Sequence, residues 1–152
     1  MPDVRGEYDF AFKKGALEQI MDRPKEPELI YLASPYTHPS SQMKQKRFEI
    51  VCSVASLMIK RGMMMFSPIA HSHPICQYGI DLSGEWEFWE KYDKSMLRKC
   101  TRMIVLMLEG WKESRGIAAE TEYAKSLGMP IDYIDYDEWR PSEKDNNNHD
   151  QR

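Results

Sequence analysis

Four short apolar runs, separated by stretches of helical period, constrain this chain more than any other feature. They occupy residues 29–33, 63–66, 103–108 and 130–134. Each is too short for a buried helix, and the first two close on Ser34-Pro35 and Ser67-Pro68, which marks them as buried strands. Between them, Phe48, Val51, Val54, Ala55 and Met58 recur at helical spacing. They predict a helix over about 41–61 that Gly62 stops. Further helices are expected over about 85–99, with Trp86, Trp89, Met96 and Leu97 as its apolar positions, and over 117–127, stopped by Gly128. Residues 67–80 hold Pro68, Pro74, Gly79, His71 and His73 and read as a long loop.

Strands that alternate with helices build a parallel sheet covered on both faces. The expected fold is therefore α/β: a flavodoxin/Rossmann-like three-layer sandwich around a central, mostly parallel sheet of about four to five strands, spanning residues 29–139. Residues 1–28 read as an N-terminal arm with a short amphipathic stretch. Residues 140–152, poor in apolar side chains and containing Asn146, Asn147 and Asn148, read as a disordered tail.

At 152 residues the chain fits one domain. Its net charge of −3 gives no basic footprint for a nucleic-acid polymer, though one local anion site needs little net charge. Cys52, Cys76 and Cys100 are odd in number and far apart, so they form no disulfide framework and fit a reducing cytoplasm. No apolar run approaches the roughly 18 residues of a membrane span, and no leader-like segment opens the chain. A cytoplasmic protein without membrane association is expected.

In a parallel sheet, ligands bind beyond the carboxyl ends of the strands. That rule selects segments 33–39, 67–80 and 109–120. Ser114-Arg115-Gly116-Ile117-Ala118-Ala119-Glu120 follows the strongest strand and opens a helix, where free N–H groups and the dipole favour an anion. Ser114 adds a hydroxyl, Gly116 permits close approach, and Glu120 lies one turn in. The plainer alternative is an N-cap serine and an early-helix acid. Trp86, Trp89 and Asp93 share one helical face, so Asp93 is either desolvated and suited to general-acid work or part of a solvated acidic helix. His71, His73 and Cys76 have the spacing His-x-His-x-x-Cys. No further ligand cluster follows, so pocket-lining histidines are favoured and no metal or other cofactor is expected. Ser34, Tyr36 and His38 end the first strand with groups suited to a sugar, a phosphate or merely a turn. No GxGxxG, Walker lysine loop or GxSxG elbow is present.

The ordered blocks Tyr31-Leu32-Ala33-Ser34-Pro35-Tyr36, Phe66-Ser67-Pro68-Ile69-x-His71-Ser72-His73-Pro74, Trp86-Glu87-Phe88-Trp89, Gly110-Trp111 and Ser114-Arg115-Gly116 resemble the nucleoside 2-deoxyribosyltransferase-like superfamily. The nearest likeness is to its small phage and bacterial branch, over about residues 29–134. By that resemblance, Glu120 in Gly116-x-x-x-Glu120 is the nucleophile at the anomeric carbon, and Asp93 assists departure of the base. Two carboxyl groups in these roles form the retaining-glycosidase arrangement.

The resemblance further implies a small nucleoside or nucleotide substrate. Ser114, two residues before the glycine, resembles the 5′-phosphate contact of members that hydrolyse nucleoside monophosphates. Ser34, Tyr36 and Arg47 would complete that pocket, with His71, His73 and Trp89 facing the substrate. A nucleotide N-glycosidase is thus favoured over a base-exchanging 2-deoxyribosyltransferase. A non-catalytic nucleotide sensor and a glycohydrolase of larger nucleotides such as NAD remain alternatives. The superfamily's dimers imply a homo-oligomer. One departure stands out: Thr101 and Arg102 occupy the place before the third strand where many relatives carry an aspartate.

Overall fold

A computed structural model describes residues 27–79 and 86–146. Its elements are β1 (Leu29–Ala33), α1 (Ser41–Lys60), β2 (Met64–Phe66), α2 (Pro68–Tyr78), α3 (Trp86–Leu97), β3 (Arg102–Met107), α4 (Arg115–Ser126), β4 (Ile131–Asp135), a 3-10 turn (Tyr136–Glu138) and α5 (Glu143–Asn146). The four strands form one parallel sheet in the order β2-β1-β3-β4. This is the expected α/β three-layer architecture. The N-terminal arm lies outside the described residues.

Strand periodicity divides the core in two. Ile30 and Leu32 of β1 pack with Ile104, Leu106 and the Val51, Val54, Ala55 and Met58 stripe of α1. Tyr31 and Ala33 point the opposite way, to Met103, Val105, Leu97 of α3 and Ile117 and Ala124 of α4. A strand covered on both faces must be apolar at every position, which is why β1 and β3 read as continuous runs rather than alternating ones. α1 begins where Ser40 Oγ accepts from the Met43 N–H. It ends in a Schellman motif: Gly62, at φ +82°, donates to Ile59 O while Met63 donates to Met58 O.

Two expectations change. Residues 68–78 are helical, not a loop. Ser67 caps α2 by accepting from the Ala70 N–H, and Pro68 occupies the first turn, where its missing N–H costs nothing. Gly79 closes the helix by donating to Ile75 O. Pro68 and Pro74, which read as punctuation in the sequence, both lie in α2. Residues expected in the disordered tail also carry structure: α5 falls within 140–152, and its Asp145 pairs with Lys60 at 3.1 Å. Just before the tail, Tyr136 and Trp139 pack on the α1 face of the core and Arg61 lies over the Trp139 ring. Residues 147–152 lie outside the described part. No described helix is long and apolar enough to cross a membrane.

Candidate active site

The sheet order places a topological switch between β1 and β3. The chain leaves β1 toward β2 and leaves β3 toward β4, so the two following loops diverge and open a crevice. A cavity of about 300 Å³ occupies it, between residues 34–37, the 110–116 loop and the first turns of α3 and α4. That size is at the lower end of the range for small-molecule sites.

Two carboxylic acids form its inner wall. Glu120 falls on the buried stripe of α4 with Ile117 and Ala124, at spacings of three and four that face the sheet. An apolar residue would ordinarily stand there. Instead Glu120 is 4% exposed, and the phenol of Tyr31, in the middle of β1, donates to its Oε1 at 2.8 Å. Asp93 occupies the equivalent stripe of α3, one turn before Leu97, and is 6% exposed. Its Oδ1 has no hydrogen-bond partner among the described residues, and neither has Ser34 Oγ on the same cavity wall. Buried polar atoms left unpaired are costly and uncommon, so these two cavity-lining oxygens are open to a polar partner in the cavity.

Burial sets the protonation of the pair. Desolvation pushes Asp93 up to about 7. It pushes Glu120 up to about 8, and the negative charge of Asp93 adds to that rise while the Tyr31 hydrogen bond opposes it. Tyr31 itself is held well above its ordinary value, first by burial and then by the charge of Glu120, so it remains a donor across the physiological range. Near neutrality the two carboxyl groups therefore hold at least one proton between them, a property of the pair more than of either residue.

Around this pair the other expected residues fall into two groups. Trp89 and Trp86 of α3, Ser34 and Tyr36 after β1, and Ser114 and Gly116 at the start of α4 all line the cavity. Ser114 is an N-cap, its Oγ accepting from the Ile117 N–H at 3.3 Å, so its hydroxyl hydrogen stays available to a ligand. A Cβ on Gly116 would meet the Trp86 ring at 3.5 Å, an ordinary contact. Glycine here therefore keeps space beneath the indole rather than relieving strain.

Arg47 reaches the cavity but is bound elsewhere. Its guanidinium donates to Thr37 O at 3.0 Å and to Glu109 O at 2.9 Å, tying the loop after β1 to the loop after β3. Gly110, at φ +87°, passes so close that a Cβ would stand 2.9 Å from Arg47 Nη2. Arg47 is thus a strut between the cavity's two loops.

His71 and His73 do not face this cavity, contrary to the sequence expectation. Because α2 is helical, Ile69 and Ser72, three residues apart, form the wall, and the histidines turn aside. His71 stacks on Tyr92 and bonds its hydroxyl at 2.8 Å. His73 is buried against Phe48 and bonds the Tyr36 hydroxyl at 2.7 Å, Gln45 at 2.9 Å and Gln77 at 2.9 Å. It braces Tyr36 from behind, and burial lowers its pKa. Among the described residues, no three of His, Cys, Asp and Glu converge as a metal site.

Sequence reasoning missed Tyr31 as a site residue. The available signal was one phenol in an otherwise aliphatic buried strand, since a buried hydroxyl requires a partner. The missing aspartate before β3 is remote from the cavity. Thr101 instead fastens the amino end of β1, donating to Leu29 O and accepting from the Leu29 N–H at the end of the sheet opposite the cavity.

No curated protein matches the chain. Among solved structures, a 2-deoxyribosyltransferase from Bacillus psychrosaccharolyticus, described as a biocatalyst for nucleoside synthesis, aligns with a TM-score of 0.51 over 81% of this chain and 93% of that one. The sequence identity is 18%, so the likeness is one of fold. A sequence model for a protein family matches residues 28–135, which takes in all four strands and every residue of the cavity. The chain belongs to that family, described as "Domain of unknown function (DUF1937)".

Proposed function

We propose that this protein cleaves the N-glycosidic bond of a (deoxy)nucleoside 5′-monophosphate and releases the free base. The observation that carries the reading is the pair of buried carboxyl groups, Glu120 and Asp93, on one wall of a cavity at the sheet's switch point. In the first step, ionised Glu120 attacks the anomeric carbon. The C–N bond breaks, its electron pair passes to the base, and protonated Asp93 supplies the proton. In the second step, water attacks the same carbon, Asp93 takes the water's proton, and Glu120 leaves as a carboxylate. Near neutrality the pair holds one proton, which favours Glu120, the higher of the two. The cycle runs through the form in which that proton sits on Asp93, where the pair contains both a nucleophile and an acid. Ser114, with the backbone N–H groups of Arg115 and Gly116 in the first turn of α4, offers donors to a 5′-phosphate. Ser34 Oγ supplies a further unpaired polar group, and the Trp86 and Trp89 indoles give the base apolar walls.

The reading is tested by incubating the protein with a panel of nucleosides, nucleoside 5′-monophosphates and NAD and measuring free base. Release from monophosphates is expected; a panel without release overturns it. Base exchange is the second reading, favoured by the fold shared with the 2-deoxyribosyltransferase. Adding a second free base to the panel distinguishes the two, since a transferase forms a new nucleoside or nucleotide. A silent binding module would be stabilised by nucleotide without forming product. The two buried carboxyl groups argue against it, because binding alone does not require their desolvation.

Tyr31→Phe provides an internal check. The phenol stabilises the Glu120 carboxylate, so its removal raises the Glu120 pKa further. The acid limb of the pH–rate profile is then expected to move to higher pH, and kcat at pH 7 to fall by about tenfold or more, in line with a lost hydrogen bond to a charged group. An unmoved acid limb would show that the phenol does not act on the nucleophile.

A further inference from the structure

A phosphate bound at the mouth of this cavity would enter an acidic setting. Glu87 and Glu113 line the rim, with Asp93 and Glu120 deeper in. Among the described lining residues the cations are Arg47 and Arg115. Arg47 holds two backbone carbonyls, and turning it toward a ligand would release both loops. Arg115 is different. It stands in the first turn of α4, next to the Ser114 cap, and its Nη1 lies 2.6 Å from Oε1 of Glu87 in the first turn of α3. The pair therefore spans the cavity mouth. Its side chains are 79% and 55% exposed, and an exchangeable ion pair of that kind contributes a factor of only a few to an equilibrium.

We infer that Glu87 and Arg115 form an exchangeable latch that sets selectivity for phosphorylated substrate. On binding, a phosphate dianion displaces Glu87 and takes Arg115 as its counter-ion, joining the donors of Ser114 and the first turn of α4. Glu87 occupies Arg115 in the free state and competes for it in the bound state. It thereby limits how tightly the site holds a sugar phosphate and aids release of that product. A guanidinium suits the exchange, because its planar fork pairs equally well with a carboxylate and a phosphate. A ligand role for this helix start also agrees with the buried, unpaired Ser34 Oγ on the same cavity wall.

The inference rests on the proposed cleavage reaction for its kinetic arm and stands apart from it for its binding arm. In the kinetic arm, kcat/KM is compared for a nucleoside 5′-monophosphate and the matching nucleoside. Arg115→Gln is expected to lower the preference for the monophosphate by roughly 10- to 100-fold, the worth of a charge-assisted hydrogen-bond pair. Glu87→Gln is expected to raise that preference by about threefold, as removal of an exposed competitor should. In the binding arm, ribose 5-phosphate is titrated calorimetrically into each protein, with ribose as control. Tighter binding to Glu87→Gln and weaker binding to Arg115→Gln are expected. A wild type that releases no base overturns the cleavage reading alone, because the titration still reports on the latch. Equal effects on phosphorylated and unphosphorylated ligands, or none, overturn the latch itself. Both residues are exposed, so the variants should keep the fold.

Discussion

Glu120→Gln is expected to lose base release by roughly three orders of magnitude or more while becoming more stable than the parent protein above pH 8. The first half follows from the nucleophile's role, since an amide cannot form the glycosyl ester. The second half follows from burial. Glu120 is 4% exposed and its carboxyl is pushed from 4.5 to about 8. A carboxyl whose folded pKa is raised is held more tightly in its protonated form by the folded state. Its contribution to stability is complete below about pH 4.5 and is lost as pH rises through about 8. Glutamine keeps the shape and can still accept from the Tyr31 phenol, but it has no charge to expose. Each pKa unit corresponds to about 1.4 kcal/mol, so the rise from 4.5 to about 8 sets a gain of up to about 5 kcal/mol at pH 9. Thermal melts at pH 5 and pH 9 check this: the difference between the proteins should be small at pH 5 and large at pH 9. A variant destabilised at pH 9 would show that the carboxylate is better solvated than its burial implies.

Asp93→Asn is expected to lower kcat by about 10²- to 10⁴-fold, the usual contribution of a positioned general acid. The loss should be smallest for substrates whose base leaves readily without protonation. It should also alter the pH profile in a defined way. In the parent protein the active form holds one proton on the pair, giving a bell with limbs near the values of about 7 and about 8 that burial imposes. Asparagine removes the acid, so the alkaline limb disappears. It leaves a neutral group where the parent's acid-limb forms already carry a neutral Asp93, so the remaining acid limb, that of Glu120, stays near its parent position. Initial rates from pH 5 to pH 10 measure both. A bell that persists in Asp93→Asn would assign the acid to another group.

Much of this molecule was legible in its sequence because the strongest signals were local. The runs that became β1 and β3 are continuous in apolar residues because the sheet is covered on both faces, and the α1 stripe repeats at helical spacing with a glycine stop. The rule that ligands gather beyond strand ends then selected Ser34, Tyr36, Ser114 and Glu120 together, and the cavity brings them together.

What escaped depends on distance along the chain. Tyr31 and Glu120 are 89 residues apart, and no local pattern announces that a strand phenol will meet a helix carboxylate. Arg47 looks like a free cation until the carbonyls of Thr37 and Glu109 are placed around it. The histidines were misplaced for a different reason. Pro68 and Pro74 suggested a loop, whereas the first proline sits where a helix needs no donor, and the helical turn rotates His71 and His73 away from the cavity.

The most direct test of the account is the mass of the protein quenched during turnover of a deoxynucleoside 5′-monophosphate. The account predicts a sugar-phosphate adduct on the peptide that contains Glu120, absent from Glu120→Gln and gone once substrate is exhausted. Base release that continues unchanged in Glu120→Gln, or an adduct on any other residue, would contradict it.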